Sequence, residues 1–314
     1  MVTLLYIPTF DTYREALSQL GPDFHGEHQA EVLRSTQRFD ETLLDGGAVR
    51  FMDHDKLVWF NFETDSTSVA LGFEKLLKNH WTVGAGIASE NNQSMGYDGR
   101  WNSKGDTAHL GAMAKRGFGA TEVTGSLSYS WNGTQSERQG QVTDPFKTDI
   151  NRDLETLAAL ARISHQFRSG EAYLRPTLDA GVTHLMADDA IESGGGPTSL
   201  VLEADNETHV WLRPSVQFGN LHTFESGLTL HLYAELGLQY YLTDEHTEVI
   251  AGFTGAPAGV SPMVVPIDLG SYAHGTIGVE LINSKRASIA LEYGKVIDEN
   301  YDIDHWNLRL NVPF

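Results

Sequence analysis

The chain carries 13 histidines and 42 acidic residues but no cysteine, and these residues bound the chemistry it can attempt. Without cysteine there is no thiolate metal site, no thiol nucleophile and no disulfide. Histidine with acids suits metal binding or proton transfer, provided the groups share a face. No His-Glu-x-x-His occurs. His25 and His28 straddle the expected start of a helix and have no third ligand. His231, His274, His184 and His109 fall among polar strand positions, where a wet interior explains them. Asp302 and Asp304 with His305, and Asp244 with His246, are protease-like in type. Neighbours along a strand project to opposite faces, however, so adjacency does not make a catalytic pair. Gly-x-Ser-x-Gly is missing, which weighs against a serine hydrolase elbow. Gly194-Gly195-Gly196 precedes no helix and makes a poor phosphate cradle. Asp188-Asp189 and Asp302 with Asp304 have Ca²⁺-ligand chemistry, but solvated loop acids are the simpler reading. We therefore assign no catalytic, cofactor-binding or metal residue.

The elements that must position these groups fall into two parts. Residues 1 to about 50 read as helical and polar. Asp11 or Thr12 can cap a short helix over Tyr13–Leu17 that Gly21-Pro22 stops. A longer helix is expected from Glu27 to Leu44, rich in good helix formers and ended by Gly46-Gly47. Its apolar residues are few (Ala30, Val32, Leu33, Phe39, Leu43 and Leu44), so it suits solvent or a wet cavity.

From Lys56 onward the period becomes two. Leu228, Leu230, Leu232, Ala234, Leu236, Leu238 and Tyr240 share one face; Thr229, His231, Tyr233, Glu235 and Gln239 share the other. The same alternation marks Trp306, Leu308, Leu310, Val312 and Phe314, and about twelve strands in all. Strands are readable near 57–65, 67–78, 80–91 and 106–117. Pro176 and Pro214 each remove a ladder donor, which predicts a bulge or local unpairing. Tight turns alternate with long polar segments at 91–105, 132–152, 187–206 and 243–268, as in outer-membrane barrels.

One face of the strands is nearly uncharged; the other carries Glu122, Arg162, Arg175, Asp179, Arg213, Glu235, Glu280, Glu292 and Arg309. A soluble sandwich would bury the first face, and a membrane barrel would turn it to lipid with the charged face lining a wet lumen. Strands as long as Leu228–Leu242 favour the barrel. Trp81, Trp131, Tyr240, Tyr272, Tyr293, Trp306 and Phe314 lie near strand ends and are expected to form interfacial girdles. Closure removes sticky edges, and the polar helix, with Glu31, Arg34, Arg38, Asp40 and Glu41, is a natural plug. Composition fits: 314 residues with a formal charge of −20 repel nucleic acid. An apolar share of 40 % with a mean hydropathy of −0.28 excludes a disordered tail. No run of about 18 apolar residues spans a membrane as a helix.

The order of several segments resembles the C-terminal translocator domain of classical type V autotransporters. These are the helical Glu15-Ala16-Leu17-Ser18-Gln19-Leu20 and Ala30-Glu31-Val32-Leu33-Arg34-Ser35, and the strand with Val58-Trp59-Phe60. The hairpin Leu71-Gly72-Phe73, Asn79-His80 and Trp81-Thr82-Val83-Gly84-Ala85-Gly86 follows. Tyr173-Leu174-Arg175-Pro176, the late Phe253-Thr254-Gly255-Ala256-Pro257 and the terminal aromatic complete it. The resemblance implies an all-β outer-membrane protein of a Gram-negative bacterium. Its fold would be a roughly 12-stranded antiparallel transmembrane β-barrel with an N-terminal α-helix in the pore, monomeric and without cofactor. It implies that residues 1–25 end a passenger or linker, 26–50 are pore helix and linker, and 51–314 are the barrel. The chain would then be a C-terminal piece. The function implied is to anchor the passenger and take part in its export. The implied partners are outer-membrane lipid, the passenger and the barrel-assembly machinery, which would read Trp306, Leu308, Leu310, Val312 and Phe314. Some relatives cut the passenger at an Asn-Asn pair on the helix; 27–44 has no Asn, and that chemistry is not supported. Glu27, Glu31, Asp40 and Glu41 are better read as balancing Arg162, Arg175, Arg213 and Arg309. The alternatives are a barrel protease or phospholipase, and a diffusion porin; neither needs the polar helix.

Overall fold

Alternating sequences can close only if the first and last strands pair, and here they do. The computed structural model describes residues 21–45, 56–63, 67–95, 100–141, 145–256, 261–298 and 302–314. The expected short helix near Tyr13–Leu17 lies outside the described residues. Twelve antiparallel strands form one closed barrel. They are β1 (Lys56–Glu63), β2 (Ser68–Leu76), β3 (Thr82–Met95), β4 (Trp101–Phe118), β5 (Thr121–Gln141) and β6 (Pro145–His165). There follow β7 (Ala172–Ala187), β8 (Asp205–Thr223), β9 (Thr229–Tyr241), β10 (Tyr272–Ile282), β11 (Ser288–Ile297) and β12 (Asp302–Pro313). Closure runs through β1 and β12, from Leu57 opposite Pro313 to Glu63 opposite Asn307.

The outward face decides between sandwich and membrane barrel. Leu110, Leu127, Leu236 and Ile277 are 59–64 % exposed on that face. A soluble protein would bury such a continuous apolar belt; a lipid-facing wall presents it. The core lies inside instead, where Ala30, Val32, Leu33 and Leu44 pack with Met113, Leu154, Leu160, Leu185, Trp211 and Tyr241.

Two expectations need correction. The segments 91–105 and 132–152 are not loops. β3 to β6 continue through most of them, and β5 and β6 each reach 21 residues. Polar runs such as Asn91-Asn92-Gln93 keep the two-residue alternation, because a strand rising above the membrane needs no apolar face. The segments 187–206 and 243–268 are structured too. Met263–Asp268, His246–Phe253, Leu200–Leu202 and Ala190–Ile191 pair in that order into a second sheet of four strands. Val249, Ala251, Leu200 and Leu202 form its core with Ile150 of β6.

The prolines act as expected through unpairing, without a bulge. The β6–β7 ladder stops at Ser164–Thr177, skips Pro176, and resumes in the same register at Phe167–Leu174. The β8–β9 ladder skips Arg213 and Pro214 between Leu212–Tyr240 and Ser215–Gly237.

Among the described residues one α-helix, α1 (Asp23–Asp45), stands inside. It begins four residues before the sequence reading placed it, and His25 N–H bonds the Pro22 carbonyl at 2.9 Å. Fifteen of its 23 residues are buried, so it is a lumen element and not a solvated one. No described helix is long and apolar enough to cross a membrane.

Candidate functional site

Polar residues in the pore need partners, and the helix packs closely against one side of the barrel to find most of them. His28, Val32, Ser35, Thr36, Phe39, Asp40 and Leu43 recur at helical spacing and form one stripe. It faces β3 to β6, whose inward positions are mostly small: Gly105, Thr107, Gly111, Ser126, Ser128, Ser130, Asn132 and Thr134. The Thr36 hydroxyl lies 2.7 Å from that of Thr156 and 3.3 Å from that of Ser130. His28 Nε2 lies 2.9 Å from Asn132 Oδ1. Gly111 is required by close approach: a Cβ there would sit 2.2 Å from Leu43 Cδ1 and 3.0 Å from Phe39 Cε1.

Where the stripe meets this wall a serine, a histidine and a glutamate come together. The Ser35 hydroxyl donates to Glu90 at 2.8 Å and lies 3.2 Å from His109 Nε2. Its order is not that of a hydrolytic triad, in which the acid orients the histidine. Here Glu90 bonds the serine and stands 4.0 Å from the ring, and Ser35 is fully buried. The group docks the helix.

The opposite helix face, with Arg34, Gln37, Arg38, Glu41 and Asp45, borders a cavity of about 190 Å³. Six arginines (Arg34, Arg38, Arg162, Arg175, Arg213 and Arg309) and six carboxylates (Glu41, Asp45, Glu63, Glu235, Glu280 and Glu292) line it. Arg162 holds Asp179 through two bonds of 2.7 and 2.8 Å and reaches Asp45 at 2.6 Å. Arg213 bridges Asp179 at 3.2 Å and Glu41. Arg309 pairs with Glu292 at 2.7 Å, and His231 contacts Glu280 at 3.0 Å. Paired in this way, long charged side chains brace the wall against the helix at Glu41 and Asp45 and leave a cavity between them.

Of the residues expected to line the lumen, Arg162, Arg175, Arg213, Glu235, Glu280, Glu292 and Arg309 border this cavity. Asp179 is buried behind two of them, and Glu122 shares the inward face of β5 near its start. The helix acids divide. Glu41 meets Arg213, Glu31 bonds Arg34 and Arg38 of its own helix, and Asp40 turns away to Ser126 at 3.3 Å. Asp40 therefore does not balance a lumen arginine, and Glu27 is exposed. His25 and His28 do not converge: His28 meets β5, while His25 stands 3.9 Å from Glu192. Asp302 and Asp304 lie 3.2 and 3.6 Å from Lys295 on the outer wall, and His305 borders the cavity. Trp131, Tyr240, Trp306 and Phe314 face outward as girdle residues should, but Tyr272 does not. Its hydroxyl donates to Gln239 at 2.8 Å inside the barrel, because residue 272 falls on the even, inward phase of β10. Leu310 and Val312 face outward with Trp306 and Phe314.

The second sheet fastens the helix at the long-loop mouth. Gln29 donates to Thr247 Oγ1 and the Glu248 carbonyl, both at 3.1 Å. Glu192 accepts from Arg138 at 3.0 Å and from the Leu200 N–H at 2.8 Å. Burial alone would raise the Glu192 carboxyl, but His25 and Arg138 outweigh it and hold it at about 2. At the other end Asp45 leads toward β1. The helix thus enters at the long-loop mouth and leaves at the short-turn end.

The family model of the autotransporter β-domain matches residues 59–294. The chain belongs to that family. Autotransporter β-domains are outer-membrane barrels of Gram-negative bacteria that serve as translocators, and this chain is one of them. The translocator domain of the autotransporter NalP from Neisseria meningitidis superposes with a TM-score of 0.69 at 13 % identity, over 92 % of this chain and 98 % of that one. The β-domain of the Bordetella autotransporter BrkA gives 0.58 at 14 %, over 82 % and 98 %. The TodX monoaromatic hydrocarbon channel shares the barrel fold at 0.52 and 9 %, over 86 % and 92 %. No curated protein sequence matches.

The sequence reading missed the docking wall of β3 to β6 and the Arg138–Glu192 fastening. The serines at 126, 128 and 130, alternating opposite a helix stripe of Ser35, Thr36 and Asp40, were the available signal for the first. The second joins residues 54 apart through a loop and has no local signal.

Proposed function

We propose that this autotransporter β-domain anchors a passenger fused before α1 and carries its connecting segment outward through the pore, with α1 left as the plug. The observation that supports this is the direction of the helix: its first residues lie at the long-loop mouth and its last lead to β1 at the short-turn end. A diffusion porin gains nothing from a helix fastened at both ends, and an enzyme needs an accessible site where this lumen offers mutually paired charges. On this reading the domain is not itself an enzyme and works as a monomer. Residues before α1 belong to the passenger side, α1 and the residues to about 50 form pore helix and linker, and 51–314 form the barrel. Glu31, Arg34, Arg38, Asp40 and Glu41 keep the helix compatible with a wet pore. Trp306, Leu308, Leu310, Val312 and Phe314 form the outward surface offered to the barrel-assembly machinery and then to lipid. The test is a reporter peptide fused ahead of Met1 and expressed in a Gram-negative host. Protease added to intact cells should remove the reporter. A reporter that stays protected while the barrel is inserted and heat-modifiable overturns the proposal.

A further inference from the structure

The chain is strongly acidic, yet one rim of the barrel is not. Lys285 and Arg286 occupy the β10–β11 turn, Lys56 begins β1, Lys75 and Lys78 flank the β2–β3 turn, and Arg116 ends β4. Because β10, β11, β12, β1, β2, β3 and β4 are successive neighbours, these six cations follow one another along a continuous arc. Glu74, next to Lys75 in sequence, is buried against Lys115 at 2.7 Å. The terminal carboxylate of Phe314 lies beside Lys56, and no exposed acidic side chain accompanies the six on this arc among the described residues. The long-loop end has the opposite sign, with Asp188, Asp189, Glu203, Asp244 and Glu245 in its loops and Asp205 at the start of β8.

The arc also carries aromatic rings. Lys56 Nζ stands 5.5 Å from the Phe314 ring, and the Arg116 guanidinium 5.7 Å from Trp81 and 5.0 Å from Phe118. Phe118 and Phe314 are 55 and 66 % exposed. Exposed aromatics at strand ends sit at the level of lipid headgroups, and cations beside them are held where headgroup phosphates lie. Short turns mark the periplasmic end of such barrels, where the leaflet is made of phospholipid.

We propose that this arc binds the phosphodiester headgroups of anionic phospholipid in the periplasmic leaflet. Charge complementarity selects the anionic class, and the rings between the cations select a bilayer over a soluble anion. The proposal rests on the membrane placement of the barrel and not on export of a passenger.

The test uses the full chain in phosphatidylethanolamine vesicles with and without about one-fifth phosphatidylglycerol, following the midpoint of heat-modifiable gel migration. Anionic lipid should raise the midpoint by about 5 °C. The rise should vanish at about 0.5 M salt, where the screening length shrinks to a few ångströms. The combined variant Lys75→Glu, Lys78→Glu and Lys285→Glu should lose the rise, and Lys104→Glu with Lys147→Glu at the other end should keep it. If the charge-reversed variant fails to fold, glutamine at the same three positions replaces it. An equal rise in the rim variant, no rise in the wild type, or an equal rise from inorganic phosphate overturns the proposal. A missing rise with the reporter still exported refutes lipid binding alone.

Discussion

The two sides of the pore solve the same problem in opposite ways. On the β3–β6 side most inward residues are glycine, serine, threonine and asparagine, and α1 lies directly against them. From the end of β6 that carries Arg162 round through β12 to β1 they are mainly arginine, glutamate, histidine and tyrosine, and a cavity of about 190 Å³ opens between them and the helix. Small groups let a helix approach and fix it with short, directional hydrogen bonds worth about 1 kcal/mol each. Long charged groups tie themselves to one another and, through Asp45 and Glu41, to the helix, and leave room for water. The docking side also has the longest strands, and these rise to carry the second sheet that grips the helix at the mouth. Position of the helix and openness of the pore are therefore set by different walls.

The sharpest way to break this division is to fill the docking wall. Gly111→Leu puts side-chain atoms where Leu43 Cδ1 already stands 2.2 Å from an ideal Cβ. No shift of a flexible tip accommodates that volume against the helix, so α1 must leave its seat. We expect the conductance of this variant in planar bilayers to rise severalfold, toward that of a chain lacking residues 1–50. Thr276→Leu on the open wall should leave the helix seated and reduce conductance slightly. Equal conductance in the two variants would show that the walls do not divide the work.

A smaller effect tests the open wall. Asp179 is 2 % exposed and holds Arg162 and Arg213 together. Asp179→Ala leaves two guanidiniums side by side, with Asp45 and Glu41 as their remaining partners. Removing one member of a buried ionic network costs about 3 kcal/mol, and the midpoint of unfolding should fall accordingly. The pore should also become more anion-selective, measured as a shift in reversal potential under a salt gradient. An unchanged midpoint would mean that water in the cavity already screens the pair.

Much of this was legible in sequence, and unevenly so. The barrel and its lipid face follow from a period of two sustained in strands such as Leu228–Leu242, because lipid on one side and water on the other enforce it. The helix was legible from its composition, although its start was missed by four residues because Asp23-Phe24-His25-Gly26 contains poor helix formers held by packing. The strand extensions over 91–105 and 132–152 were not legible, because above the membrane the outer face meets water and the inner face packs mostly through polar residues, so polarity no longer distinguishes strand from loop. Which lumen charges pair was not legible either. Arg162 with Asp179 is a cross-strand neighbour and could be reached by register, but Arg213 with Glu41 joins residues 172 apart and depends on the rotation of the helix. That rotation is fixed by the small residues opposite, whose alternation marks an inward face but not which face of the helix meets it.

The docking wall itself can be measured one bond at a time. The Thr36 hydroxyl lies 2.7 Å from Thr156 Oγ1, and both side chains are fully buried. Thr36→Val keeps the shape but strips Thr156 of its partner, whereas after Thr156→Val the Thr36 hydroxyl still donates to the Val32 carbonyl at 3.0 Å. The first change should lower stability by about 1 kcal/mol, because a buried hydroxyl left without a partner keeps its desolvation cost, and the second by less. The double variant removes both polar groups at once and should cost less than the two single changes together, since nothing is left unsatisfied between them. Ser130, 3.3 Å from the Thr36 hydroxyl, is a further, weaker partner. Additive losses in the unfolding midpoints would mean that the two hydroxyls do not bond to each other. In that case apolar packing around Val32 and Leu43, not the polar stripe, would be what seats the helix.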